Sequence, residues 1–204
     1  HNNCENSDFG LFDKMLTDIE EKFGSLLQRV EWVSLGGGIH FTGDDYPVDE
    51  FCARLKAFSE KFGVQVYLEP GEASITKTTT LEVTVLDTLY IGKNLAIVDS
   101  SIEAHMLDLL IYREKAKMAP NNGEHSYMIC GKSCLAGDIF GEFTFDKPIA
   151  IGDRLSFEDA AGYTMVKKNW FNGVKMPAIA VRELDGTVKL VREFDYADFE
   201  GSLS

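Results

Sequence analysis

Cysteine is scarce in this chain of 204 residues: Cys4, Cys52, Cys130 and Cys134 are the only four. A disulfide framework for a chain of this size would need more. No apolar run approaches the roughly 18 residues that a membrane span requires. The opening dozen residues are polar and acidic, unlike a secretory leader. Positive charge is in deficit, with 20 Lys and Arg against 33 Asp and Glu, a net charge of −13. That balance argues against nucleic acid, whose phosphates would be repelled, and tolerates a cationic substrate. The four histidines, His1, His40, His105 and His125, lack metal-ligand spacing, and Cys130 and Cys134 lack the second cysteine pair of a zinc site, so no metal is expected. Walker loop, nucleophile elbow and dinucleotide fingerprint are all missing. Cytoplasm is the default compartment.

Hydrophobic residues make up 45%, enough for a chain of this length to bury a core. Phe12, Leu16, Ile19, Phe23, Leu26, Leu27 and Val30 recur at helical spacing behind Ser7 and Asp8, either of which can cap the helix. Trp32 to Leu35 is a short buried-strand pattern stopped by Gly36, Gly37 and Gly38. Pro47 is expected in the first turn of a second helix, with Phe51, Leu55, Phe58 and Phe62 on one face and Gly63 ending it. Val64 to Leu68 is a second strand, stopped by Glu69-Pro70-Gly71. Helix, strand, helix, strand is the rhythm of parallel α/β folds.

The texture then changes. Thr76 to Leu89 alternates as a strand does, and Asn94 to Asp99 is another strand. Short strands are expected near Tyr127–Cys130, Phe140–Phe145, Arg154–Phe157, Tyr163–Val166, Ala178–Arg182 and Val188–Phe194. Ser101 to Lys117 reads equally as helix or strand, and the tail from Asp195 as a short helix or a frayed end. The pattern predicts α/β plus β: residues 1–72 as βα units of a parallel fold, either barrel or open sheet, and residues 73–204 as a β-sandwich or barrel.

Several segments suggest chemistry. Gly36-Gly37-Gly38 ends a strand, where ligands of α/β folds bind, and is either a phosphate cradle or a plain tight loop. Glu69 is either the partner of a protonated ring nitrogen or a surface carboxylate before a turn. Cys134, in the loop from Gly131 to Asp138, is either a proton donor or a buried structural thiol. Tyr163, Trp170 and Phe171 either wall a pocket or pack a core.

In their order, LGGGIHFTG, YLEPGEA, VDSSIEAHMLDLL, GKSCLAGDIFGE and AGYTMVKKNWFNG resemble the alanine-racemase-fold decarboxylases that use pyridoxal phosphate. Within them the wording is nearest the branch acting on carboxynorspermidine or carboxyspermidine. The resemblance implies an N-terminal (β/α)8 barrel, a C-terminal β-domain, and a homodimer with active sites at the interface. It makes His1, Gly36, Gly37, Gly38, Glu69 and Tyr163 cofactor-binding residues. Cys134 becomes the catalytic group, reaching the partner's site. Asp138 becomes a candidate for a substrate amine, Glu72 suits a more cationic ligand, and Glu103 and His105 become candidates for substrate recognition. Cys4 stands where several relatives carry a phosphate-binding Ser. Glu72 replaces an Arg of many relatives, and Arg113 falls where ornithine decarboxylase is acidic, which disfavours ornithine. No Lys matches the Schiff-base lysine motif, so that lysine is expected before His1. The segment alone is then expected to be inactive, as the C-terminal portion of a longer enzyme. A diaminopimelate- or ornithine-type decarboxylase and a non-catalytic regulatory homologue remain the alternatives.

Overall fold

The computed structural model describes His1, 6–118 and 122–203. The chain divides into two compact units, His1–Thr76 and Lys77–Ser204.

In the first unit, α1 (Phe9–Leu27) starts at Asp8, whose carboxylate accepts from the N–H groups of Gly10 and Leu11. It buries Phe12, Leu16 and Leu27 on one face. It does not run on to Val30. The Arg29 and Val30 amides turn back to Leu26 and Leu27, and Val30 is exposed. β1 (Trp32–Ser34) pairs in parallel with β2 (Gln65–Tyr67), Val33 opposite Val66. Between them lies α2 (Val48–Phe62), with Pro47 just before its first turn and Gly63 closing it at φ +69°. Phe12 of α1 meets Phe51 of α2 edge-on at 4.9 Å, and Phe58, Leu35, Ile39 and Val64 complete the core.

In the second unit, β3 (Leu81–Tyr90) and β4 (Asn94–Val98) lead into two short helices, α3 (Ile102–His105) and α4 (Leu107–Tyr112). The ambiguous stretch from Ser101 is therefore helical as far as Tyr112, broken at Met106, and at its far end Lys117 bridges to Glu158 as a strand would. Next come β5 (His125–Cys130), β6 (Ile139–Phe145) and β7 (Arg154–Phe157). These strands form one sheet in the order β6-β5-β4-β3-β7. Only the β4–β5 pairing is parallel, and α3 and α4 lie on the connection between those two strands. Leu81, Val83 and Val85 point inward with Ile129, Phe140, Phe143 and Phe157. Phe140 and Phe157 stack at 4.5 Å.

After the sheet, α5 (Gly162–Val166) is followed by β8 (Ile179–Arg182), which forms a hairpin with β9 (Val188–Arg192). The chain continues into α6 (Tyr196–Gly201), which Asp195 and Asp198 close as a capping box. Two strand expectations are corrected. Tyr163–Val166 is helical: Lys167 N–H returns to Tyr163 O, and so short a run carries no decisive period. β3 starts at Leu81 rather than Thr76, because Lys77 has φ +60°, which no strand admits, with its amide on the Asp159 carboxylate at 2.7 Å. Among the described residues, no helix is long and apolar enough to cross a membrane.

Candidate functional site

The candidate residues gather in two clusters, one in each unit. In the first, the end of β1 delivers Ser34 two residues ahead of the glycine loop. The Ser34 hydroxyl accepts from Gly36 N–H at 3.1 Å and donates to Glu69 Oε1 at 2.5 Å. Glu69 N–H in turn bonds Gly36 O at 2.9 Å, so the two loops that end β1 and β2 are tied twice. Glycine is required by close approach. A Cβ on Gly37 would stand 2.4 Å from Glu69 O, and one on Gly36, whose φ is +74°, would stand 2.9 Å from His1 Cα. The His1 ring nitrogen Nε2 comes within 3.8 Å of that same Gly37 position. Gly38 O is taken by Asn6 N–H at 2.8 Å.

His1, the glycine loop and Glu69 are thus brought together, and the Glu69 carboxylate is exposed but held. Glu72 lies half-buried in the single turn Glu72–Ser74 that follows. Cys4 lies outside the described residues. Ser34 escaped the sequence reading. Its only signal is a hydroxyl in an otherwise apolar run, two positions before three glycines.

The second cluster joins three of the five motifs. Ser100 and Ser101, both buried, end β4 and open α3. His105 is 4% exposed, and its Nδ1 shares a 2.8 Å hydrogen bond with Ser100 Oγ. Its Nε2 and Glu103 Oε2 are buried without a hydrogen-bond partner among the described residues. Burial, reinforced by Lys132 and Lys168 against Asp138 and Asp99, pushes the His105 pKa down to about 4, so the ring is neutral. Asn169 clasps α3, its side chain donating to Glu103 O at 2.9 Å and its amide to Ala104 O at 2.8 Å.

Cys134 is exposed, which removes the buried structural reading of it. Its N–H bonds Asn172 Oδ1 at 3.0 Å. Asp138 departs from the expectation of a substrate contact. It is 4% exposed and accepts from Ile102 N–H at 2.8 Å, Ser133 N–H at 3.0 Å and Ser133 Oγ at 2.5 Å. Tyr163 stands on α5, 53% exposed, with Lys167 Nζ 4.5 Å from its ring centre. Arg113, in the left-handed conformation, ends α4.

The first cluster fits a phosphorylated pyridine: backbone free of side chains where a phosphate approaches, a held carboxylate for a ring nitrogen, and an imidazole alongside. A family model of the pyridoxal-dependent decarboxylase C-terminal sheet domain matches residues 11–161. The chain belongs to the pyridoxal-dependent decarboxylases. It is 63% identical, over its whole length and 56% of the relative's, to a carboxynorspermidine/carboxyspermidine decarboxylase of Herminiimonas arsenicoxydans. It is 40% identical, over its whole length and 54% of the relative's, to a carboxyaminopropylagmatine decarboxylase of Synechocystis. The crystal structure of the Campylobacter jejuni carboxynorspermidine decarboxylase complexed with norspermidine superposes with a TM-score of 0.89 at 36% identity, covering 99% of this chain and 59% of that one. The chain spans about half the length of the curated relatives it matches.

Proposed function

We propose that the whole protein decarboxylates carboxynorspermidine or carboxyspermidine with pyridoxal phosphate, releasing CO2 and norspermidine or spermidine. The 63% identity to a decarboxylase of that name over all of this chain carries the reading. The bound cofactor supplies an electron sink for the pair left when CO2 departs. The residues of this chain do the rest. Gly37 and Gly38 receive the phosphate through backbone N–H groups, Gly36, whose own N–H is held by Ser34, shapes the loop for it, and Tyr163 is a further phosphate contact. Glu69, oriented by Ser34, keeps the ring nitrogen protonated. The His1 imidazole stacks on the ring. Cys134, entering from a partner subunit, returns a proton from Sγ to the substrate Cα. Glu72, Glu103 and His105 are the candidates for the substrate's distal groups, and the net charge of −13 favours encounter with a polycation. In this reading residues 1–72 belong to a (β/α)8 barrel, residues 73–204 form a β-sandwich or barrel domain, and the protein is a cytoplasmic homodimer.

The test is a product assay of the whole, cofactor-loaded protein. Carboxynorspermidine, carboxyspermidine, carboxyaminopropylagmatine, diaminopimelate and ornithine are offered side by side. The highest kcat/KM is expected on the first two. A preference for any of the others would replace the substrate, and no CO2 from any would favour a non-catalytic homologue.

A further inference from the structure

We propose that Asp138 is a positioning residue: its buried carboxylate fastens the loop Gly131–Asp138 to the first turn of α3 and thereby sets where Cys134 is presented. The role of Cys134 rests on the proposed function; the fastening does not.

Both carboxylate oxygens are already used within the chain. Oδ1 takes Ile102 N–H, across 36 residues of sequence, and Oδ2 takes both the amide and the hydroxyl of Ser133. The Ser133 hydroxyl also accepts from Leu135 N–H at 3.3 Å, so the residues on both sides of Cys134 are pinned from one carboxylate. The loop is closed at its base, with Gly131 N–H on Asp138 O at 2.8 Å and Lys132 N–H on Ser100 O at 3.0 Å. Cys134 itself is tied through its N–H to Asn172, which holds the left-handed φ of 57°.

Gly131 is part of the device. A Cβ there would stand 2.3 Å from both Asp138 oxygens, so only glycine lets the carboxylate occupy this place. A carboxylate at 4% exposure with three chain donors is an acceptor filled by its own protein and has little to offer an ammonium ion. Its charge is balanced by hydrogen bonds to the loop whose end must be exact to about an ångström for proton transfer.

The test uses the whole cofactor-loaded protein with Asp138→Asn, Ser133→Ala, Cys134→Ala and the Asp138→Asn/Cys134→Ala pair. In Asp138→Asn the amide must turn a donor toward Ile102 N–H or the Ser133 donors, so the clasp opens. Amide hydrogen exchange at residues 132–135 is expected to accelerate on the order of tenfold, with β5 and β6 unchanged. kcat is expected to fall about 10- to 100-fold with KM nearly constant. Ser133→Ala, which removes a single hydroxyl, gives the same pattern more weakly and serves if Asp138→Asn does not fold. In the Cys134→Ala background, Asp138→Asn should add little further loss, because it acts through Cys134.

Unchanged loop exchange in both Asp138→Asn and Ser133→Ala overturns the fastening. Losses in kcat that multiply in the pair overturn action through Cys134 and return Asp138 to the substrate. A Cys134→Ala protein with full kcat refutes the catalytic reading of the thiol and with it the consequence for turnover, while loop exchange still decides the fastening.

Discussion

In the first unit the cluster is assembled by backbone stripped of side chains; in the second it is assembled by side chains reaching across the chain, the buried Asp138 foremost. Gly36 and Gly37 let His1 and Glu69 close on the loop, and a single hydroxyl, Ser34, adds the tie. Around Cys134 the ties are Asp138, Ser133, Asn169 and Asn172, with Ser100 and His105 buried beneath. A cradle of backbone offers N–H groups to an anion but has little freedom to yield. A clasp of side chains sets a group's position through hydrogen bonds, and a substitution that swings one side chain away can undo it. Substituting the glycines should expose that difference most strongly. Gly37→Ala drives a methyl to 2.4 Å from a backbone oxygen and is expected to cost about 3 kcal/mol, with loss of cofactor retention, read by thermal unfolding and cofactor absorbance. Gly131→Ala meets a side chain instead, which can swing away at the expense of its hydrogen bonds, for about 2 kcal/mol. Gly137→Ala, in the same loop with nothing within 4 Å, is the control and should leave the melting midpoint in place.

Acid should separate the units next. His105 titrates at about 4 when folded and 6.5 when free, so between those values only the unfolded chain holds the proton. Its contribution is complete above pH 6.5 and is lost as pH falls toward 4, about 3 kcal/mol across the window. Lys132 and Lys168 oppose its protonation, and Asp138 and Asp99 favour it. In the first unit the carboxyl in question is Glu20. Burial raises it, but hydrogen bonds from Lys61 and Arg54 outweigh that and hold it below 4.5. Its contribution is present above 4.5 and fails only as pH falls through the lower folded value. Hydrogen exchange between pH 7 and 4 should therefore loosen α3 and the Cys134 loop while α1 and α2 stay protected. His105→Gln should flatten that response, and equal loosening of both units would count against it.

The same contrast decides what could be read from sequence. α1 and α2 were legible because their periods run over several turns and each has a local stop, Asp8 before one and Gly63 after the other. The glycine loop was legible because close backbone approach demands that residue type. Ser34 was not, since its partner Glu69 stands 35 residues away. Asp138 was legible as a polar loop residue, but its task depends on Ile102, 36 residues earlier, and no spacing rule joins them. Tyr163–Val166 was misread and Ser101–Lys117 stayed undecided for the complementary reason: short mixed runs take the conformation that long-range contacts allow, as where Lys167 reaches Asp108 of α4 at 2.5 Å. Elements stabilised within themselves are written locally; clasps are written in two places at once.

Ion pairs give the smallest effects and the finest division. On the seam between α1 and α2, Arg54 donates to Asp13 at 2.5 Å and to Glu20 at 2.7 Å, with its side chain 20% exposed and that of Glu20 12%. Removing the guanidinium leaves a poorly solvated carboxylate with Lys61 as its remaining cation in the network, at 2.5 Å. Arg54→Ala should destabilise the first unit by about 2 kcal/mol. Arg54→Met, which keeps the packed stem and drops the charge, should recover only the packing share. In the second unit Lys93 meets Glu142 at 3.3 Å with both side chains about half exposed. Water screens that pair, and ordering two long side chains offsets its attraction, so Lys93→Ala should leave the denaturant midpoint where it was. If Lys93→Ala cost as much as Arg54→Ala, burial would not be what distinguishes the two pairs, and the seam between the helices would lose its claim to be an electrostatic as well as an apolar joint.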